Sequence, residues 1–309
     1  MKKFINFILV IFFIFLILLA YDNKDKIYIF YRDNILKVKD NITIKRNAYF
    51  KDNDYLYVQN TNNFISKNYN DTLNIIYSII NSGVSSFTFY CDINYNSCIQ
   101  DVESILDNEY ILSTINNYVH PYNSFDVINT RYDKYGKITL SITKAYNEEQ
   151  IKLIENKVNE IINNNINFYI LLINSSMNDI EKIKVIHDYI INNANYDTSL
   201  EKLKYSKADD VLLYRRGICS SYTDAMSIFL NRFNINNYKI ASEEHIWNLV
   251  YLNNNWLHLD LTWDDPVNEN GKDILDYNYY LITTKKLKEI DNSKSHRFNK
   301  DFYLELKES

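Results

Sequence analysis

Three residue types that together can perform thiol-based acyl transfer occur in the C-terminal half of the sequence, at Cys219, His245 and Asp260. A thiol that attacks an amide carbonyl needs a nearby base, and imidazole suits this role because its pKa lies near neutrality. The imidazole in turn needs a carboxylate on its second ring nitrogen, which fixes its tautomer and orientation. These residues therefore form a candidate catalytic triad, provided that the fold brings them together.

Cys219 is predicted to lie at the start of a helix. Gly217 permits a backbone bend just before it, and Tyr222, Ala225 and Phe229 then follow at helical spacing. The N–H groups at a helix start are unsatisfied and the dipole end is positive, which favours a thiolate. The N–H of Cys219 is thus one predicted oxyanion donor, and the sequence does not identify a second.

Two apolar runs downstream predict a β-hairpin that carries the candidate base and its carboxylate. Residues 245–252 and 256–263 are predicted strands, joined by asparagines that tolerate positive φ in a two-residue turn. Pairing of Leu252 with Asn255 then makes Asp260 the diagonal neighbour of the histidine, roughly 7–8 Å away. A register slip of one residue would place the two side chains on opposite faces.

The segments around these residues resemble the bacterial transglutaminase-like family. The resemblance is carried by stretches 217–222 (GICSSY), 245–248 (HIWN) and 256–266 (WLHLDLTWDDP), with 186–189, 195–197 and 279–281 around them. It covers under half of the chain. It implies a papain-like α+β core in which a helix bearing the cysteine packs on an antiparallel sheet.

The resemblance also implies an enzyme that transfers an acyl group from a peptide or protein amide through a thioester. Cys219 would be the nucleophile, His245 the base and Asp260 the orienting carboxylate. Water as acceptor would make a peptidase or deamidase, and a lysine amine would make a cross-linking enzyme. No residue marks an amine-acceptor site, which favours hydrolysis. No cofactor is implied, and no Asp/Asn-rich calcium loop is visible.

Two alternatives stay open. The sequence has Ser221 where many relatives have glycine, and residues 208–214 depart from the family pattern. These departures would fit a non-catalytic extracytoplasmic binding module that retains the fold. A zinc site is the other alternative, because Cys219, His245, His258 and Asp260 are all acceptable ligands. The paired ligand spacings typical of zinc sites are absent, so no metal is predicted.

The N-terminus predicts a membrane anchor over residues 1–21. Lys2 and Lys3 precede an apolar run that extends to Ala20, which is about the roughly 20 residues that a spanning helix needs. The rest of the chain is then extracytoplasmic, or secreted if the segment is cleaved, and a cell-envelope peptide or protein is the predicted substrate. The net charge of −5 and the absence of a later basic run exclude a nucleic-acid partner.

The pattern of elements predicts a small α+β domain over residues 22–145 and the transglutaminase-like domain over 146–309. Strands are predicted at 26–31, 55–59, 85–90 and 137–143, and helices at 72–82 and 148–163. Asn178 and Glu181 form a predicted capping box for a further helix, on which His187 is interpreted as a core residue. A Cys91–Cys98 disulfide and two half-buried thiols are both compatible with the sequence.

Overall fold

Two N-terminal helices begin the computed structural model, which describes residues 2–32, 42–163, 173, 176–198, 206–266, 275–291 and 293–307. They are α1 (Lys2–Asp22) and α2 (Lys24–Phe30), and every side chain from Phe7 to Leu19 is exposed. Among the described residues no single helix has the length and apolarity to cross a bilayer, but the bent pair Asn6–Asp22 and Lys24–Phe30 meets both requirements together. The anchor stays a prediction.

The strand predicted at 26–31 is wrong, because residues 26–30 belong to α2 and Tyr31 caps its C-terminal end. Two contacts explain how α2 is held against the rest of the chain. The rings of Tyr28 and Tyr135 lie 4.2 Å apart, and the Lys134 ammonium lies 3.1 Å from the Asp25 carboxylate. Local β-propensity was therefore overridden by tertiary packing.

A four-stranded sheet organises the first half of the chain. Its strands are β1 (Ile65–Ser66), β2 (Ser86–Cys91), β3 (Phe125–Tyr132) and β4 (Lys137–Lys144), in the order β1-β2-β4-β3. Only β1 and β2 are parallel within this sheet. The helices of this half are α3 (Tyr69–Ser82), α4 (Cys98–Leu106) and α5 (Glu109–Tyr118). The helix predicted at 72–82 and the strands predicted at 85–90 and 137–143 are confirmed as α3, β2 and β4. The strand predicted at 55–59 is wrong, because these residues form no strand.

A disulfide joins Cys91 at the end of β2 to Cys98 at the start of α4. This decides between the two interpretations of the cysteine pair. Since the sequence has three cysteines, Cys219 is the free one.

The second half supplies the helices and the sheet that carry the candidate site. Its elements are α6 (Glu148–Asn163), α7 (Asp179–Asn193), β5 (Asn195–Tyr196), α8 (Ala208–Leu212), β6 (Arg216–Gly217), α9 (Cys219–Arg232), β7 (Asn237–Ala241), β8 (Ile246–Leu252), β9 (Asn255–Leu259) and α10 (Thr284–Ile290). Strands β7, β8 and β9 form an antiparallel sheet, and α9 packs against β7 and β8. The predicted α+β class and the helix-on-sheet arrangement are confirmed.

Two hydrophobic clusters hold the described part of the chain together. One joins the first sheet and α3–α5 to β7 and β8, through residues such as Tyr118, Tyr238 and Trp247. The other fills the space among α6, α7, α8 and α9, where Ile154, Ile186 and Phe229 are buried. Because the first cluster draws on both sides of residue 145, one face of the sheet formed by β7, β8 and β9 is packed by the N-terminal half. The domain boundary at this residue stays a prediction.

The hairpin between β8 and β9 has the predicted register. Leu252 pairs with Asn255, and the turn residues Asn253 and Asn254 adopt φ of 50° and 62°, as a two-residue type I′ turn requires. The second strand ends earlier than predicted, at Leu259. The Oδ1 atom of Asp260 accepts hydrogen bonds from the N–H groups that follow it, and this local turn replaces the strand ladder.

Candidate active site

Cys219 is the first residue of α9 and is partly exposed. The helix start is fixed by the Ser221 hydroxyl, which accepts from the Ile218 N–H at 3.2 Å. Gly217 is needed here for space, because an added Cβ would lie 2.6 Å from Val211 and 2.7 Å from Ser221. As at any helix start, the N–H of Cys219 has no intrahelical acceptor, so it can donate to a bound oxyanion.

His245 directly precedes β8 and faces Cys219. A Ser242 turn orients it, since the hydroxyl accepts from the His245 N–H at 3.0 Å, and its ring stacks on Trp247 at 5.6 Å. Its Nε2 lies 2.5 Å from Oδ2 of Asp260, and the side chain also hydrogen-bonds Cys219. With Nε2 engaged by the carboxylate, Nδ1 is the atom left to meet the thiol.

The charges around His245 favour the protonated form of its ring, an imidazolium. Burial opposes the charged ring, but the Asp260 carboxylate and the hydrogen bonds to Asp260 and Cys219 outweigh burial and raise the pKa of His245 to about 10. Burial also acts to raise the pKa of Asp260, yet its histidine neighbours hold that pKa well below the usual range. The site therefore favours an ionised Asp260 carboxylate that accepts a hydrogen bond from the Nε2–H group of His245.

The segment that carries these residues matches a known protein family. Residues 171–261 match the model of the transglutaminase-like superfamily, and the match includes Cys219, His245 and Asp260. The chain contains a transglutaminase-like domain. The catalytic roles of the three residues within that domain stay predictions.

Two solved structures resemble the chain with low similarity. A TGase crystal structure aligns over 55% of this chain and 50% of its own, with 12% identity and a TM-score of 0.31. A candidate cysteine protease from Cytophaga hutchinsonii aligns over 50% of this chain and 69% of its own, with 15% identity and a TM-score of 0.28. The chain thus spans half the length of the TGase. No curated protein matches the chain.

His296 is a member of this site that the sequence analysis did not predict. It ends a 3-10 turn (Lys294–His296) and is buried, outside the residues that match the transglutaminase-like model. Its Nε2 lies 2.9 Å from the same Asp260 oxygen that meets His245. A histidine in a polar C-terminal stretch with no periodic pattern carries no sequence signal for this contact.

His258 does not join the group, although its residue type suits a zinc ligand. Its Nδ1 accepts from the Trp247 indole N–H at 2.9 Å, and its Nε2 contacts the Thr284 hydroxyl at 3.0 Å. Burial, and next the charge of His296, lowers the pKa of His258 to about 3, so it stays neutral. It supports the sheet under Trp247 and has no ring nitrogen left for a metal.

Ligand-type atoms of His245, Asp260 and His296 nevertheless lie within 4.8 Å of one another. Two ligands of one tetrahedral zinc ion sit roughly 3.3 Å apart, given metal–ligand distances near 2.0 Å. The two nitrogen–oxygen distances are 2.5 and 2.9 Å, which are hydrogen-bond distances. As arranged, the group is a hydrogen-bonded network, and a metal would require these side chains to move apart.

His187 and Asp264 form a second buried pair, which has a structural role. Both are fully buried, and Asp264 accepts from His187 at 3.2 Å and from the Tyr279 N–H at 2.8 Å. The pair ties α7 to the loop after β9, so it fixes the segment that follows Asp260. The interpretation of His187 as a core residue is confirmed.

Asp264→Ala is expected to lower the free energy of unfolding by about 2–4 kcal/mol, because the buried His187 and the partly buried N–H of Tyr279 would lose their acceptor. Urea unfolding monitored by circular dichroism measures this difference. A loss below about 0.5 kcal/mol, as for an ordinary surface substitution, would contradict the structural role.

Proposed function

We propose that this protein is a cysteine acyltransferase that cleaves peptide or protein amides through a thioester on Cys219. The observation that supports the proposal is a chain of hydrogen bonds that links Cys219, at the start of α9, to His245 and then to Asp260. The helix start favours the thiolate, and the imidazolium next to it supplies the counter-charge. The transglutaminase-like match over the same residues supports the same chemistry.

The reaction begins with attack of the Cys219 sulfur on the amide carbon. The carbonyl oxygen takes up the negative charge, and the N–H of Cys219 donates to it. The His245 Nδ1 proton then passes to the leaving nitrogen, the carbon–nitrogen bond breaks, and the thioester remains. Water or an amine, deprotonated by the now neutral His245, attacks the thioester and releases the thiolate.

Hydrolysis is the favoured outcome of the second step. Cys219 is partly exposed, so water can reach the thioester, and no feature of the sequence marks an amine-acceptor site. We further propose that the substrate is a cell-envelope peptide or protein and that the protein is held outside the cytoplasm by its N-terminal helices. The exposed apolar surface of α1 and the Cys91–Cys98 disulfide support that location.

Glutamine-containing peptides incubated with the protein, with and without a fluorescent primary amine, are expected to lose ammonia or undergo backbone cleavage. Mass spectrometry separates deamidation, chain cleavage and amine incorporation in one experiment. A thioester adduct on Cys219, trapped by acid quenching, is expected in each case. Absence of all three products across a varied peptide panel, including envelope-derived peptides, would count against the proposal.

A further inference from the structure

His296 occupies an unusual position between two carboxylates. Its Nε2 lies 2.9 Å from Oδ2 of Asp260, and its Nδ1 hydrogen-bonds Oδ2 of Asp291, which follows α10. The side chain is 1% exposed, so water does not compete for these bonds. The described contacts thus extend the candidate triad by two residues, in the order Cys219, His245, Asp260, His296, Asp291.

The hydrogen bonds of His296 determine which of its ring nitrogens carry a proton. An ionised carboxylate has only acceptor atoms, so each bond from His296 to an ionised aspartate must be donated by the ring. Both ring nitrogens then carry a proton, which makes His296 an imidazolium. Asp260 Oδ2 receives donors from His245 and His296 together, while its Oδ1 accepts from the backbone N–H groups of Thr262 and Trp263.

Aromatic side chains hold the His296 ring in this orientation. Tyr279 stacks on it at 5.1 Å with an interplanar angle of 17°. Trp247 and Trp263 approach its edges at 4.9 and 4.7 Å. This enclosure keeps water away from His296 and Asp260, which strengthens the interaction between the two charged side chains.

We propose that His296 is a positioning residue of the active site, which keeps the buried Asp260 carboxylate ionised and aimed at His245 by donating a charged hydrogen bond to it. Asp291 in turn accepts a hydrogen bond from the Nδ1–H group of His296, which stabilises the protonated ring. The inference rests on the proposed function, because it acts through the triad. Without His296, a carboxylate buried at this depth would have one charged partner instead of two, and protonation would become easier.

Other titratable groups around Asp260 and His296 must be considered when the pH dependence is read. Those that interact with them are His245, His258, Asp264, Asp291, Tyr196 and Tyr279, whereas Lys288 acts on His258. His258 is kept neutral by burial. Burial first, and then nearby acidic groups that include Cys219 for Tyr196, raises the pKa values of the two tyrosines. None of these groups replaces the charge that His296 supplies to Asp260.

The test is the rate of Cys219 alkylation by iodoacetamide as a function of pH, in the full chain with its disulfide intact. The acid limb is the part of this profile in which the rate falls as the pH is lowered. In His296→Phe it is expected to move to higher pH by about 1–3 units, because losing an opposite charge near Asp260 raises the pKa of that carboxylate by about this amount. Once Asp260 is protonated, it no longer stabilises the His245 imidazolium, and the thiolate loses its counter-charge. His296→Gln keeps one donor and is expected to show a smaller shift in the same direction.

His258→Gln is the matched control, because it also replaces a buried histidine that contacts Trp247. It is expected to lower the thermal unfolding temperature while leaving the acid limb at the wild-type pH. A purely structural role for His296 would give the same result in its variants. A shifted limb in either His296 variant supports the inference, and unchanged limbs in both overturn it.

The same data separate this inference from the proposed function. A wild-type Cys219 that reacts slowly at all acidic and neutral pH values contradicts the proposed function itself. A reactive wild-type thiol, combined with unshifted His296 variants, contradicts only the role of His296.

Discussion

Cys219→Ala is expected to lower amide turnover by on the order of 10⁴-fold or more, which is the scale of losing the nucleophile of a catalytic triad. No other described side chain is placed to form the thioester next to His245, because Cys91 and Cys98 are joined in a disulfide. The substitution removes only a partly exposed sulfur at a helix start, so the fold should be retained. Ammonia release from the best glutamine peptide, measured beside thermal unfolding, gives both quantities.

Ser220→Ala is the matched control for this prediction. Ser220 lies on the same turn of α9, and its hydroxyl donates to the Ser206 carbonyl at 2.9 Å, away from the triad. Its variant is expected to keep turnover within about threefold of wild type, since this partly buried hydrogen bond does not involve the triad and a typical one is worth only about 0.5–1.5 kcal/mol. Cys219→Ala that retained wild-type turnover would show that the chemistry lies elsewhere.

Asp260→Asn is expected to cost on the order of 10⁴-fold in turnover, the loss known for the equivalent change in serine triads. An amide at this position can present an N–H group to His245 Nε2, which favours the wrong tautomer. It also removes the charge that raises the pKa of His245 to about 10. The alkaline limb of the activity, where His245 loses its proton, should therefore move to lower pH in any residual activity.

Asp264→Asn provides a control of equal chemistry in the same loop. Asp264 is buried and bonded to His187 and Tyr279, and it contacts neither Cys219 nor His245 among the described bonds. At temperatures where the Asp264→Asn variant is folded, its turnover is expected to stay within about tenfold of wild type, because the substitution leaves the His245 tautomer unaffected. Equal losses in the two variants would mean that Asp260 acts only through stability.

Much of the site could be predicted because its signals are local. The asparagine pair specifies a two-residue turn, the turn sets the register of β8 and β9, and the register brings Asp260 within reach of His245. The helix start at Cys219 and the capping box at Asn178 follow from the spacing of a few neighbouring residues. Such features depend on local backbone geometry and need no knowledge of distant packing.

The errors arose where tertiary contacts decide the structure. His296 lies 36 residues beyond Asp260, and its placement depends on α10, the Asp291 turn and an aromatic enclosure assembled from several elements. Residues 26–31 have strand composition, but residues 26–30 lie in a helix that packs on Tyr135. At Gly217 the sequence predicts a backbone bend, whereas the close approach of Val211 and Ser221 is what requires glycine there. None of these contacts follows from a periodic pattern in the sequence.

The most direct test of the central claim is the pH dependence of Cys219 alkylation in the wild-type protein and in His245→Ala. The other two cysteines form a disulfide, so the label reports on this sulfur alone. If a thiolate–imidazolium pair exists, the wild-type protein should react rapidly at about pH 6, well below the pKa of about 8.5 of an ordinary thiol. His245→Ala should lose that reactivity. A wild-type rate that rises only above about pH 8, unchanged in His245→Ala, would contradict the account.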